Sequence, residues 1–240
     1  MPLTLLQLCE NVADQVGVAR PAAIVGSTDR TAKRMLGLLT LECKLLTERH
    51  AWSALNREAT ITTTNGTASY PVESDFDRII DHTVWDATNY WEMRGSLTPA
   101  QWQRAKRSIA AQPTNRRRFR VKWDTVSKAR EVFIDPTPTA TGDSLVYEYV
   151  SINYCQATGG GALKSAWSVD TDVPLLRDTL VLLGLVWRYR NAVGLPYAEE
   201  KNEYEHAVAS AIDADMPAQV VDLAQKQAYY ANLTDGNYGL

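Results

Sequence analysis

The side chains in this sequence best suited to chemistry are charged rather than nucleophilic. Between positions 104 and 130 stand ten lysines and arginines against one acid, Asp124, with Arg116, Arg117, Arg118, Arg120 and Lys122 at the centre in the run RRRFRVK. Such a stretch could face phosphate groups or an acidic protein surface. Phe119 and Trp123 could stack on bases there, or could equally fill the buried face of a strand. Residues 197–240 have the reverse balance, eight acids against two bases, an opposition that could orient neighbouring copies of the chain.

The remaining candidates lack the pattern that their chemistry needs. Asp75, Asp77 and Asp81 are close enough to hold a hard cation, yet without the oxygen-ligand spacing and glycine of an EF-hand they are expected to be caps and surface charges. GGGALKS at 159–165 has no glycine directly before Lys164, so it does not make a phosphate loop. His50, His82 and His206 show no metal-ligand spacing, and no Gly-x-Ser-x-Gly elbow occurs. No cofactor, metal or catalytic group is expected, and the chain is read as a non-enzyme.

The elements that must position these residues follow from periodicity and caps. Thr4 and Gln7 form a capping box ahead of a helix whose apolar stripe runs from Leu5 to Val16 and ends at Gly17. Ser27, Thr28 and Asp29 are candidate caps for a second helix, with Ala32, Leu36, Leu39, Cys43 and Leu46 on one face, reaching about His50. From Ala59 the pattern turns strand-like. Residues 61–64 and 67–72 around Asn65-Gly66 predict a β-hairpin, with Pro71 limiting the second strand. Thr98, Pro99 and Gln101 open a short helix that presents Trp102 and Ile109 and stops before Pro113. Further strands are expected over 118–123, 131–134 and 144–152.

The longest apolar helical signal lies in 173–212, with helix-start chemistry at 170–174. Gly194 can end one helix and Pro196 cannot sit inside it, which predicts the corner of an αα-hairpin. Gly184 offers a close approach, and Tyr197, Lys201, Tyr204, Val208 and Ile212 mark the packing face of the second helix.

The expected fold class is therefore α+β: a helical bundle with a long αα-hairpin, an inserted antiparallel β-rich domain and an extended C-terminal tail. Its parts are 1–57 (N-terminal helices), 58–168 (β-rich insertion with a helix at about 98–111), 169–215 (hairpin) and 216–240 (tail). A chain of 240 residues with 45% apolar side chains can bury a substantial core. A net charge of −3 argues against a surface given over wholly to nucleic acid. Cys9, Cys43 and Cys155 read as buried hydrophobes in a reducing cytoplasm. The seven tryptophans read as core anchors and subunit contacts. The most apolar helix is flanked by Arg177 and Asp178 and by Arg188 and Arg190, leaving too short a run to span a membrane.

Six segments occur in a characteristic order: LTLLQLCENVADQVG, LLTERHAWSALNREAT, YPVESDFDR, SLTPAQWQRAK, VFIDPTPTATGDSLVYEYVS and WRYRNAVGLPYAEEKNEYEHAV. Over roughly residues 3–215 this series resembles the head-to-tail adaptor family of tailed bacteriophages, the podovirus-type connectors also called tail tubular protein A or head completion proteins. The resemblance implies a structural ring, commonly of twelve copies, at the head-to-tail junction of a virion assembled in the host cytoplasm. Its partners would be the portal protein, neighbouring copies, a tail or nozzle protein, and double-stranded DNA in non-specific passage, with no membrane. It implies a hairpin signature at Trp187, Arg188, Arg190, Gly194, Tyr197, Glu200 and Tyr204. It also implies a portal-docking tail containing Asn232, Leu233, Thr234, Asp235, Gly236, Asn237, Tyr238, Gly239 and Leu240. A nucleic-acid-binding module built on residues 104–130 is the alternative.

Overall fold

The computed structural model of the chain describes residues 2–107 and 116–216. The fold is α+β, with a multistranded β region inserted between helices that pack together. Helix α1 (Leu5–Val16) starts on the capping box: the Gln7 N–H donates to Thr4 Oγ1 (3.3 Å) and the Thr4 N–H to Gln7 Oε1 (3.0 Å). Of the three candidate caps for α2 (Arg30–Arg49), Asp29 serves, accepting from the Ala32 N–H at 3.1 Å. Helices α4 (Asp178–Val193) and α5 (Ala198–Asp215) complete this layer. α4 packs against α1, α2 and α5, so Leu180, Val181, Leu185 and Val186 are buried and its apolar residues spread around the helix. Among the described residues no helix is long and apolar enough to cross a membrane.

The helix-start signal at 170–174 does not start a helix. Val173–Pro174 is strand β11, in a small sheet with β9 (Cys155–Gln156) and β10 (Leu163–Lys164), and α4 begins four residues later. The acids of that stretch are engaged elsewhere. Asp170 accepts from the Ile24 and Val25 N–H groups, and buried Asp172 accepts from the Ser168 and Val169 N–H groups and pairs with Lys164. Asp178, in the first turn of α4, accepts from the Leu3 N–H at 2.8 Å and ties the N-terminus to that helix.

Besides that small sheet, the described residues of the β region form two larger sheets. The larger orders β1 (Asn56–Thr62), β8 (Ser144–Ser151), β4 (Trp85–Asp86) and β5 (Trp91–Glu92), with β3 (Phe76–Ile79) also on β8. The smaller orders β2 (Ser69–Pro71), β7 (Ala129–Asp135) and β6 (Arg118–Asp124). The predicted Asn65-Gly66 hairpin is absent. Gly66 does take the positive φ of a tight turn, +78°, but β1 pairs with β8 and β2 with β7, so the turn carries the chain from one sheet to the other. Thr63 explains the switch, because its N–H donates to the Asp143 carbonyl (2.9 Å) and its Oγ1 accepts from the Asp143 N–H (3.1 Å). β7 and β8, neighbours in sequence, likewise lie in different sheets.

Helix α3 (Pro99–Arg107) has the predicted capping box between Thr98 and Gln101, and it buries Trp102. The expected Ile109 contact and the stop before Pro113 fall outside the described residues. Two hydrophobic cores result. Helices α1, α2, α4 and α5 enclose one, together with Val150, Tyr154, Cys155 and Trp167. The other holds Ile61, Tyr70, Phe119, Val132, Ile134, Leu145, Tyr147 and Tyr149. β8 serves both, so the two cores share a strand.

Candidate functional site

The α4–α5 corner gathers all seven hairpin-signature residues. Gly194 closes α4 at φ +79°, a conformation with little steric cost for glycine, and the Leu195 N–H then donates to the Arg190 carbonyl at 2.9 Å. The chain turns through Leu195, Pro196 and Tyr197 into α5. Arg190 spans the turn, with Nη1 2.5 Å from Glu200 Oε1 and 3.3 Å from the Pro196 carbonyl oxygen. Trp187 lies 6.3 Å from the Tyr197 ring and 6.1 Å from the Tyr204 ring, centroid to centroid. The Arg188 guanidinium stands 4.4 Å and the Lys201 ammonium 5.9 Å from its ring centre. Lys201 exposes its charge, as expected of a lysine on that face, with the ammonium over the indole, and Tyr204 and Val208 are buried.

Beneath the corner sits a buried carboxylate, Glu42 of α2, which is not among the candidate residues of the sequence. Glu42 is fully buried and accepts a hydrogen bond from Arg188 Nε. Gly184 makes room for it, since a Cβ there would stand 2.4 Å from Glu42 Cδ. Burial, then the Glu42 charge, raises the Tyr204 phenol well above its ordinary value, so it remains a neutral packing group. Arg49 ties α2 to α5, bidentate on Glu205 (2.7 and 2.9 Å) and 5.4 Å over the Tyr204 ring. The Arg49 hydrogen bonds hold the Glu205 carboxyl below its ordinary value. A signal for Glu42 was present: it falls between Leu39, Cys43 and Leu46 on the buried stripe of α2, where a lone acid needs a cation on the facing helix.

The basic run is divided. Arg117 turns inward, with Nη1 2.9 Å from Asp86 Oδ2 and Nη2 on Asp143, so it holds the β region together. Arg118, Arg120 and Lys122 alternate with Phe119, Val121 and Trp123 along β6 and therefore share one half-buried face. Across the strand, Arg118 is opposite Asp135 and Lys122 opposite Glu131, so two of the three cations face carboxylate positions. Lys122 Nζ is 3.6 Å from the Phe133 ring centre, and Arg116 lies 4.9 Å over Trp91. The aromatics also divide, Phe119 being buried and Trp123 61% exposed.

The other polar clusters serve the framework. Asp75 accepts from Tyr149 Oη (2.8 Å), Ser151 Oγ (2.6 Å) and Asn153 Nδ2 (3.2 Å), anchoring the end of β8. Lys164 Nζ lies 2.7 Å from Ser168 Oγ, the spacing of a serine–lysine pair, but it also lies 2.5 Å from buried Asp172, so it is engaged in an ion pair of the framework. Cys9 and Cys155 are buried thiols pushed up to about 12 by desolvation. Among the described residues no group of three or more His, Cys, Asp or Glu could hold a metal ion. The tail residues 232–240 lie outside the described residues. No protein-family model matches the chain, and no curated protein matches it either.

Proposed function

We propose that the chain is a structural subunit of the adaptor ring joining a phage portal to the tail or nozzle, lining part of the passage for double-stranded DNA. The ordered series of six family-like segments over residues 3–215 carries this assignment. The convergence of Trp187, Arg188, Arg190, Gly194, Tyr197, Glu200 and Tyr204 at one corner supports it, because a signature spread over 18 positions becomes a single preorganised cluster around buried Tyr204. In this role α4 and α5 form the ring-building hairpin of the body, the β region contacts neighbours and tail, and residues 216–240 embrace the portal. Internal pairing of Arg117 and the carboxylates opposite Arg118 and Lys122 suit a channel that must not retain passing DNA.

Electron cryomicroscopy of the chain with its portal is the test. The expected map places it at the portal–tail junction as a closed ring, with residues 216–240 on the portal; density elsewhere in the particle rejects the role. Deleting residues 217–240 is expected to weaken portal binding while preserving helical content, and equal affinity for both forms would remove the tail from the interface.

A further inference from the structure

The outer face of the β2–β7–β6 sheet carries more cations than its carboxylates answer. We propose that this face contacts the phosphate backbone of duplex DNA, weakly and without reading sequence. The choice of duplex DNA as the occupant rests on the adaptor reading, whereas the charge of the face stands on the fold alone.

Strand alternation creates the face. Phe119 of β6, Val132 and Ile134 of β7 and Tyr70 of β2 are buried in the second core, so Arg118, Arg120 and Lys122 stand on the side turned away from it. Residues 94–97 lie along the other edge of β6. The Arg94 N–H donates to the Arg117 carbonyl (3.1 Å) and the Phe119 N–H to the Arg94 carbonyl (2.9 Å), a parallel bridge that sets Arg94 beside Arg118. Gly95 permits that approach, since a Cβ there would stand 2.5 Å from the Phe119 carbonyl oxygen. Arg118 Nη1 reaches the Ala105 carbonyl at 3.4 Å, which brings the last turn of α3, with Arg104, Lys106 and Arg107 exposed, to the start of β6.

The acids nearby do not cancel this charge. Asp124, Glu131 and Asp135 share the outer face, but among the described residues none forms an ion pair with its cations, and Asp124 accepts instead from the Val126 and Ser127 N–H groups. Arg120 stands opposite Phe133, and Arg94 is exposed without an ion pair among the described residues. The stretch between α3 and β6, residues 108–115, contains no acid. The opposite side of β6 differs: there Trp123 stands uncovered beside a groove lined by Phe76, Ile79 and Val121, and Arg78 and Arg130 are balanced by Asp77 and Asp81.

The spacing of the cations favours a phosphate chain. Arg118, Arg120 and Lys122 recur every second residue of a strand, about 6.6 Å apart, comparable to the separation of successive phosphates along one nucleic-acid strand. Arginine suits such a partner because its planar fork matches phosphate oxygens. Cations on the flat outer side of a sheet touch the backbone without reaching base edges, so the contact carries no sequence preference. With about three or four phosphates engaged, it is weak and falls steeply with salt, which leaves DNA free to move past.

Fluorescence anisotropy of the full-length chain with two labelled duplexes of unrelated sequence tests the contact. Binding with Kd of about 1–100 µM at about 50 mM salt is expected, equal for the two duplexes, with log Kd rising by about three per tenfold increase in salt. Arg94→Gln with Arg120→Gln should weaken binding about tenfold or more and lower that slope by about two, with unchanged circular dichroism. Arg30→Gln with Lys33→Gln, which removes the same charge from exposed positions of α2, should leave affinity within about twofold. No binding at about 1 mM chain overturns the contact, as does equal loss in the two double variants. Binding to polyglutamate as tight as to duplex would hand the face to an acidic protein and overturn the DNA contact, and tighter binding to a single strand would overturn the duplex as its occupant. Duplex binding through this face by a chain that is imaged away from the portal junction would sink the adaptor role and leave the contact standing. A ring at that junction whose isolated chain fails to bind duplex would do the reverse.

Discussion

At the α4–α5 corner, seven residues drawn from 18 positions converge on one cluster, whereas along β6 and its approach five cations within seven positions are sent in different directions. The cause is geometric. Helical repeats of three and four residues put Trp187, Arg190 and Gly194, and then Glu200 and Tyr204, along neighbouring faces, and a short turn folds those faces together. A strand alternates sides at every residue, so Arg118, Arg120 and Lys122 part from their neighbours, and Arg117 just before the strand is captured by Asp86 and Asp143. A dense charge run in a strand therefore overstates the charge on either face.

The sharpest way to break this contrast is at Glu42. Arg188→Met leaves a fully buried carboxylate without its cation and should cost about 3–5 kcal/mol in urea unfolding, while adding Glu42→Leu should recover most of that. A cost under about 1 kcal/mol for the single change would show that the pair does not hold the corner. Within the basic run, Arg117→Met should cost about 3 kcal/mol because Asp86 is only 3% exposed, whereas Arg120→Met should fall within about 0.5 kcal/mol. Equal costs would restore the picture of one continuous basic surface. Gly194→Ala, at φ +79°, should cost about 1–2 kcal/mol in thermal or urea melts through backbone strain alone.

The smallest effect is expected from acid. Glu205 lies below its ordinary 4.5 because of the Arg49 hydrogen bonds. For Asp215, burial pushes upward from 3.8, but hydrogen bonds from Ser53 and the nearby His50 and Arg177 charges outweigh it and lower the carboxyl. Depressed carboxyls stabilise the fold above about pH 4.5 and lose that contribution as pH falls through their lowered values. Arg49→Gln should therefore flatten the acid limb of a stability-versus-pH curve while costing under about 1 kcal/mol at neutral pH, since the pair is partly exposed. An unchanged acid limb would separate Arg49 from the corner's electrostatics.

Much of the helical layer was legible from local signals. The caps at Thr4, Asp29 and Thr98 and the stop at Gly194 each depend on residues within a few positions, and the buried stripes of α1 and α2 follow from spacing alone. Strand positions were legible in β6, β7 and β8, but their partners were not. Asn65-Gly66 makes its turn yet joins two sheets, because Thr63 pairs with Asp143, 80 positions away, in place of a partner across a local hairpin. The start of α4 was misplaced because Asp170 and Asp172, which look like helix caps, are satisfied by backbone groups of two loops.

The sequence by itself determined α1 and α2 with their caps, the capped start of α3, the stop at Gly194, the turn at Leu195-Pro196 and the extended segments β6, β7 and β8, because these depend on backbone preference and on hydrogen bonds spanning three or four residues. Only the tertiary structure decided which strands pair, that Glu42 faces Arg188 across Gly184, that Arg117 is internal, and that Trp123 is left uncovered beside a groove. Those outcomes depend on desolvation and charge pairing between residues far apart in the chain, and a buried carboxylate acquires its partner only when folding removes water from both.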